Sequence, residues 1–371
     1  MSAGAEAAPL DAESAADAVL DAGMAAHRSG DLSGAEVEYG AVLDAFPFHT
    51  DALHLLGMCR HQRKENREAF ALVSKAIALR PETPQYHNTL GTILQSAGRF
   101  DEAAQSFSRA TRLRPGYAEA ENNLALVLCD LKRYDDAETV LRYALSGAPD
   151  NPTLHTTMGR LELLRDNFRG SLESFRRALV LDPDHANALN NSGVVFNLMG
   201  DVEGAKHLFE RALAINPDHG DAHHNYGQLL LFQGRHADGW RHFEWRLRRR
   251  EYRRRFAAPP WQGESLDGRT ILLWCEQGLG DAIHFIRYAP LVAAAGGRVV
   301  VECRTPLRRL FAGIPGVGEI FEPGEATLYD FHASVMSLPG SKISPTPGIP
   351  AKSRRNGVRH STTTRPPAAA T

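Results

Sequence analysis

Along the first two thirds of the chain, apolar and polar positions follow a helical beat, and that beat itself repeats every 34 residues. Gly57, Gly91, Gly159, Gly193 and Gly227 share one column of the repeat, broken by Ala125. Ala35, Ala69, Ala103, Ala137, Ser171 and Ala205 form a second column of small residues, and Ala76, Ala110, Ala144, Ala178 and Ala212 a third. Proline closes each period at Pro47, Pro81, Pro115, Pro149, Pro183 and Pro217, with no slip in phase. Small residues let paired helices approach closely while Phe107, Phe175 and Phe209 fill the groove between hairpins. Proline stops the second helix because it has no N–H. The pattern predicts helical hairpins at 16–49, 50–83, 84–117, 118–151, 152–185 and 186–219. A seventh begins at Gly220 and drifts, with Gly239 and Arg246 at its small-residue positions, as a terminal repeat is expected to do.

A period of 34 made of two helices and a turn resembles the tetratricopeptide repeat. It implies a right-handed superhelical solenoid over 16–253, after a disordered N-terminus at 1–15. In such hairpins the first helix lines the inner groove, and the position two before the glycine column points into it. Here that file reads Thr89, Asn123, Thr157, Asn191 and Asn225. Asparagine offers both a donor and an acceptor, so stacked copies can pair with successive amides of an extended peptide whatever its side chains. The file resembles the asparagine ladder of O-GlcNAc transferase, with two rungs replaced by threonine and Leu55 in place of the first. The competing reading is that these side chains, with Asn88, Asn122 and Asn190 beside them, bond to neighbouring helices or to water. His219, His223 and His224 suggest a metal site. Yet His87, His155 and His223 share a repeat column where packing explains them, and no HExxH or CxxC is present.

From about Pro259 the period changes to strand, glycine turn, helix, strand. Thr270 to Glu276 reads as a buried strand, Gly278 to Asp281 as a tight turn, and Ala282 to Ala295 as a helix ended by Gly296-Gly297. Further strands are predicted at Arg298 to Cys303, Glu319 to Glu322 and Phe331 to Met336, with a short helix at Pro306 to Ala312. This is the start of a Rossmann-like parallel sheet, whose ligands gather at the carboxyl ends of the strands. A dinucleotide fingerprint needs a third glycine where Ile283 stands, although Glu302 could serve as the acid at the end of the second strand.

Several phrases of this region, Gly239-Trp240, Phe243 to Arg246, Pro260 to Gly263, Leu266 to Gly268, Leu272 to Asp281 and Met336 to Pro339, resemble bacterial tetratricopeptide proteins fused to a glycosyltransferase domain. That domain is similar to glycosyltransferase family 9, the heptosyltransferase-like group of GT-B fold. The resemblance implies an acceptor site at Gly278, Gly280 and His284, with Asp281 as the general base that deprotonates an acceptor hydroxyl, a role contributing about 10²–10⁴-fold. Without it, Asp281 reads as a first-turn carboxylate offsetting the helix dipole. The family's second half, which binds the nucleotide sugar, has no counterpart here. The expected organisation is a linker at 254–268, an incomplete acceptor half at 269–340 and a disordered basic tail at 341–371, from a truncation or frame change near Lys352. Alone, such a chain is expected to be inactive, leaving a non-catalytic interaction scaffold as the alternative.

Composition narrows this only a little. No run of 18 apolar residues occurs, so no membrane-spanning helix is expected, and the acidic start is unlike a signal peptide. Cys59, Cys129, Cys275 and Cys303 are widely spaced, which fits reduced thiols in a cytoplasmic protein. The net charge of −2 hides about −11 over 1–240 and about +6 over 241–255. An acidic solenoid disfavours nucleic acid and favours a protein or peptide partner; no cofactor is expected.

Overall fold

The structure, a computed structural model, describes residues 9–248, 256–276, 278–325 and 328–341. The chain divides into two compact units, Met1–Ala222 and His223–Thr371. All of the expected tail at 341–371 except Ser341, and residues 249–255 of the basic segment 241–255, lie outside the described residues.

Fourteen α-helices among the described residues make up the repeats. In hairpin order they are α1 (Pro9–Arg28) and α2 (Leu32–Ala45), α3 (Thr50–Gln62) and α4 (Asn66–Leu79), α5 (Pro84–Ser96) and α6 (Phe100–Leu113), and α7 (Ala118–Asp130) and α8 (Tyr134–Gly147). They continue with α9 (Pro152–Leu164) and α10 (Phe168–Leu181), α11 (Ala186–Leu198) and α12 (Val202–Ile215), and α13 (Gly220–Phe232) and α14 (His236–Phe243). From α2 onward every first helix and every second helix starts 34 residues after its predecessor. The helix α1 departs from expectation by beginning at Pro9, inside the segment read as a disordered N-terminus.

Two local devices set the period. Each first helix ends on a left-handed residue, Gly30, Lys64, Gly98, Lys132, Asp166, Gly200 or Gly234, with φ from 58° to 85°. The next N–H then reaches back five residues, as from Glu65 to the Arg60 carbonyl at 2.9 Å and from Arg133 to Leu128 at 2.8 Å, and closes the helix. Each second helix from α2 to α12 ends two residues before the proline column, with one capping residue between. The capping residue is held extended by the ring that follows it, as at Arg80 (φ −133°, ψ 81°) and Asp182 (φ −140°, ψ 94°).

The glycine column exists for close approach. A Cβ on Gly91 would lie 2.6 Å from the Phe107 ring, on Gly159 2.5 Å from Phe175, and on Gly193 2.7 Å from Phe209. The phenylalanines thus seat on the glycine of their own hairpin as well as filling space toward the next. Where Ala125 replaces glycine, the facing column holds the smaller Leu141, and both are fully buried. Within the first unit, consecutive first helices touch one another (α1 to α3, α3 to α5, α5 to α7, α7 to α9, α9 to α11), whereas consecutive second helices make at most slight contact. The first helices therefore line the inner side of the curve.

In the second unit, strands β1 (Thr270–Trp274), β2 (Arg298–Glu302), β3 (Val317–Phe321) and β4 (Phe331–Ser334) form one parallel sheet in the order β3-β2-β1-β4. Three short helices, α15 (Leu279–Phe285), α16 (Ala289–Ala294) and α17 (Arg308–Phe311), connect them. The single helix predicted at 282–295 is instead two, joined by a 3₁₀ turn at Ile286–Tyr288. Pro290 sits in the first turn of α16, where its missing N–H costs nothing, so the helix restarts there. The described part of the expected linker is not free: Trp261 donates its N–H to the His332 carbonyl at 2.8 Å, and Trp261 and Leu266 are buried with Ile271, Val299 and Val301. Phe243 of α14 belongs to the same core, so the last helical hairpin and the sheet fold together.

Candidate functional site

The first candidate is the polar file along the inner helices. Its members sit where the period puts them, but they are already engaged. Thr89 Oγ1 meets His54 Nε2 at 2.8 Å, Asn123 Nδ2 donates to Asn88 Oδ1 at 3.1 Å, and Thr157 Oγ1 donates to Asn122 Oδ1 at 2.6 Å. Each bond reaches back 35 residues, from one hairpin to the preceding one, so the file ties first helices together. Asn88 carries this further by donating to Glu119 at 2.9 Å. The rhythm breaks at Asn191, which accepts from its neighbour Asn190 at 3.0 Å. Thr157 is only 4% exposed, which removes it as a surface rung. Asn225 is half-buried and falls in the second compact unit.

Seven residues after Thr157 and Asn191, on the same helices, lie apolar positions the sequence reading missed. Leu164 and Leu198, both at the last residue of a first helix and 34 apart, are 41% and 57% exposed, and Met199 next to the second is 59% exposed. The signal was present as a column, but it looked like ordinary helix-end hydrophobicity until exposure was known.

The histidine column divides. His87 and His155 place Nε2 at 2.8 Å and 2.7 Å from the Pro81 and Pro149 carbonyls. A carbonyl can only accept, so each ring donates and fastens its helix to the preceding turn. His223 instead meets His242 Nδ1 to Nδ1 at 2.7 Å and stacks on Trp245 at 3.9 Å. Among the described residues no group of three or more His, Cys, Asp or Glu is placed to hold a metal ion.

The second candidate is the turn after β1. Gly278 caps α15, Gly278, Gly280 and His284 are exposed, Asp281 is half-buried, and His284 packs edge-on against Phe285. No hydrogen bond draws Asp281 and His284 together. The charged centre nearby is one that sequence reasoning did not assign. Arg246, fully buried, grips Glu276 with two bonds, Nη2 to Oε1 at 2.6 Å and Nε to Oε2 at 3.1 Å. It also donates to Glu244 at 2.8 Å and Ser337 at 3.0 Å, while Ser334 at the end of β4 donates to Glu276. In the order β3-β2-β1-β4 the sense in which successive strands are added switches between β1 and β4, which run parallel, the place where an open α/β sheet takes its ligand. Here the Arg246 guanidinium occupies the carboxyl ends of those strands. At the other side of β1, burial pushes the Cys275 thiol up to about 12, with Cys303 beside it adding to the shift, so it is no nucleophile at neutral pH.

Two family profiles, both described as tetratricopeptide repeat, match the chain, one at residues 20–84, 88–152 and 156–205 and the other at 198–239. Residues 20–239 form a tetratricopeptide repeat array. Solved structures agree on its fold. A tetratricopeptide repeat protein from Parabacteroides merdae ATCC 43184 superposes with a TM-score of 0.54 at 17% identity, covering 62% of this chain and 91% of that one. The APC/C hetero-tetramer Cut9–Hcn1 gives 0.53 at 16% identity, with 61% of this chain covered and 45% of that one. PilW, a type IV pilus biogenesis factor, gives 0.51 at 17% identity, with 56% and 96% covered. At these identities the likeness is one of fold. No curated protein sequence matches the chain. No helix among the described residues is long and apolar enough to cross a membrane.

Proposed function

We propose that the tetratricopeptide array is a docking groove for an extended segment of a partner protein. The observation that carries this is the pairing, along the inner helices, of half-buried carboxamides at Asn123 and Asn191 with the exposed Leu164, Leu198 and Met199. Carboxamides suit a peptide backbone, and the apolar positions suit alternate side chains of the same segment. The inter-repeat bonds hold the carboxamides in place and leave fewer rungs than five, so affinity is modest. Each hydrogen bond contributes about 0.5–1.5 kcal/mol. The test is selection of peptides from a displayed library on the intact chain, followed by calorimetry. Replacing Asn123 and Asn191 by alanine together is expected to weaken a selected peptide by roughly ten- to a hundredfold. Unchanged affinity removes the groove reading.

A second reading concerns residues 239–340. Their resemblance to a glycosyltransferase acceptor half is supported by a parallel sheet with the glycine turn at the carboxyl end of β1. In that reading Gly278 and Gly280 shape the acceptor loop, His284 flanks it, and Asp281 is the base, with a nucleotide sugar as donor in a longer form of the protein. Release of nucleoside diphosphate from nucleotide sugars, abolished by Asp281→Asn, is the expected result. If no nucleotide sugar is turned over by the native product, the scaffold reading stands alone.

A further inference from the structure

A cavity of about 280 Å³ opens at the carboxyl ends of β1 and β2, on the side of β1 away from Arg246. Its walls include Glu302, Cys275, Arg304 and the apolar Leu279, Leu307 and Pro323. We propose that this cavity binds a ribonucleoside or its phosphate ester, with the Glu302 carboxylate accepting hydrogen bonds from the ribose cis-diol.

Four observations converge on that ligand. First, Glu302 is the last residue of β2, in register with Trp274 at the end of β1, is only 7% exposed, and lines the cavity. An acid at the end of the second strand of such a sheet is the group that takes ribose hydroxyls. Second, the two described glycines of the turn after β1 are uncrowded: a Cβ on Gly280 would meet nothing within 4 Å, and one on Gly278 would meet only Asp281 Oδ2, at 4.0 Å. A ligand can lie against these two glycines without displacing a described side chain. Third, the missing third glycine of the dinucleotide fingerprint is no obstacle here. That glycine allows a helix to pack close to its strand, and in this chain the packing residue is Ala282, 3% exposed, while Ile283 points outward at 47% exposed. Fourth, Leu279, Leu307 and Pro323 offer apolar wall for a flat base, and Arg304 stands exposed at the rim, where it would favour an anionic substituent on the ligand. The volume suits one nucleoside and is too small for a dinucleotide. The crevice between β1 and β4, where the remainder of a dinucleotide would extend, is filled by Arg246.

The inference does not rest on the peptide groove or on glycosyl transfer, because its probes are free nucleosides and its readout is binding. Saturation-transfer NMR and calorimetry on the intact chain would compare adenosine and uridine with their 2′-deoxy forms and their 5′-monophosphates. The ribonucleosides are expected to bind, and loss of the 2′-hydroxyl to weaken binding roughly tenfold or more, since a buried carboxylate then loses a donor. Glu302→Gln should give the same loss, and Arg304→Ala should erase any advantage of the monophosphate. If Glu302→Gln fails to fold, the 2′-deoxy comparison on the native chain still decides. Absence of binding by every ribonucleoside, or equal binding of ribo and deoxy forms, overturns the proposal. Binding of the monophosphates alone, insensitive to the sugar, would mean an anion at Arg304 and overturns it as well.

Discussion

Gly159 and Ala125 occupy the same position of the repeat, and the difference between them is set by the ring or branch they face. With Phe175 2.5 Å from the place a Cβ would take, Gly159→Ala overpacks a fully buried contact and should destabilise the array by about 1–3 kcal/mol, read from urea denaturation. Adding Phe175→Leu recreates the Ala125 and Leu141 pairing and should restore part of the loss; no restoration would mean that the backbone, not the ring, sets the spacing. His54 gives a pH dependence at the same scale. Burial pushes its pKa down to about 4 from 6.5, against the pull of Asp51, and its Nε2 meets Thr89 at 2.8 Å. The fold prefers the neutral ring, so this contribution is complete above pH 6.5 and is lost as pH falls towards 4, at most about 3 kcal/mol. Thermal melts across that range should fall for the native chain and flatten in His54→Gln. Thr89 lies in a column readable from the sequence. The identity of the contact was not, because Thr89 is 35 positions from its partner.

The starts of the hairpins from Thr50 onward were legible to the residue, whereas α1 begins at Pro9, before the expected 16. Their ends are written by local chemistry, a left-handed residue after the first helix and a proline after the second, and local chemistry is what a sequence displays directly. The elements of the sheet unit were legible in kind but less so in extent, since Pro290 splits one helix and strand ends depend on the neighbouring ladder. Least legible was the short 3₁₀ segment Glu244–Arg248 after α14. The phrase Phe243 to Arg246 was noticed for its resemblance, yet nothing in it shows that Arg246 crosses to Glu276, 30 residues on, and Ser337, 91 residues on. Removing one partner of such a buried pair strands the other. Arg246→Met should therefore cost about 3–5 kcal/mol, while Arg246→Met with Glu276→Leu should cost much less. Hydrogen exchange of β1 and β4 amides is the direct measure, and equal protection in the single and native forms would show the pair to be dispensable.

At the scale of the molecule, a repeat array is stabilised mainly by contacts between neighbours, so one internal period is removable in phase. Deleting 118–151 should leave a folded array of lower melting temperature, whereas deleting half that length should unfold it, both measured by circular dichroism. The sheet unit has no such freedom, because its core joins Phe243, Trp261, Ile271 and Val335 from well-separated parts of the chain. The sequence by itself determined the period, the helix pairs, the small-residue seams and the order of strand and turn after Pro259, because each is encoded within a few residues or by strict repetition. Only the tertiary structure decided that the polar file bonds between repeats, that Arg246 fills the crevice between β1 and β4, and that Glu302 borders a cavity beside β1. Those outcomes depend on which distant groups burial brings together and on the requirement that buried charge and polar atoms be partnered, and neither is visible in the order of residues alone.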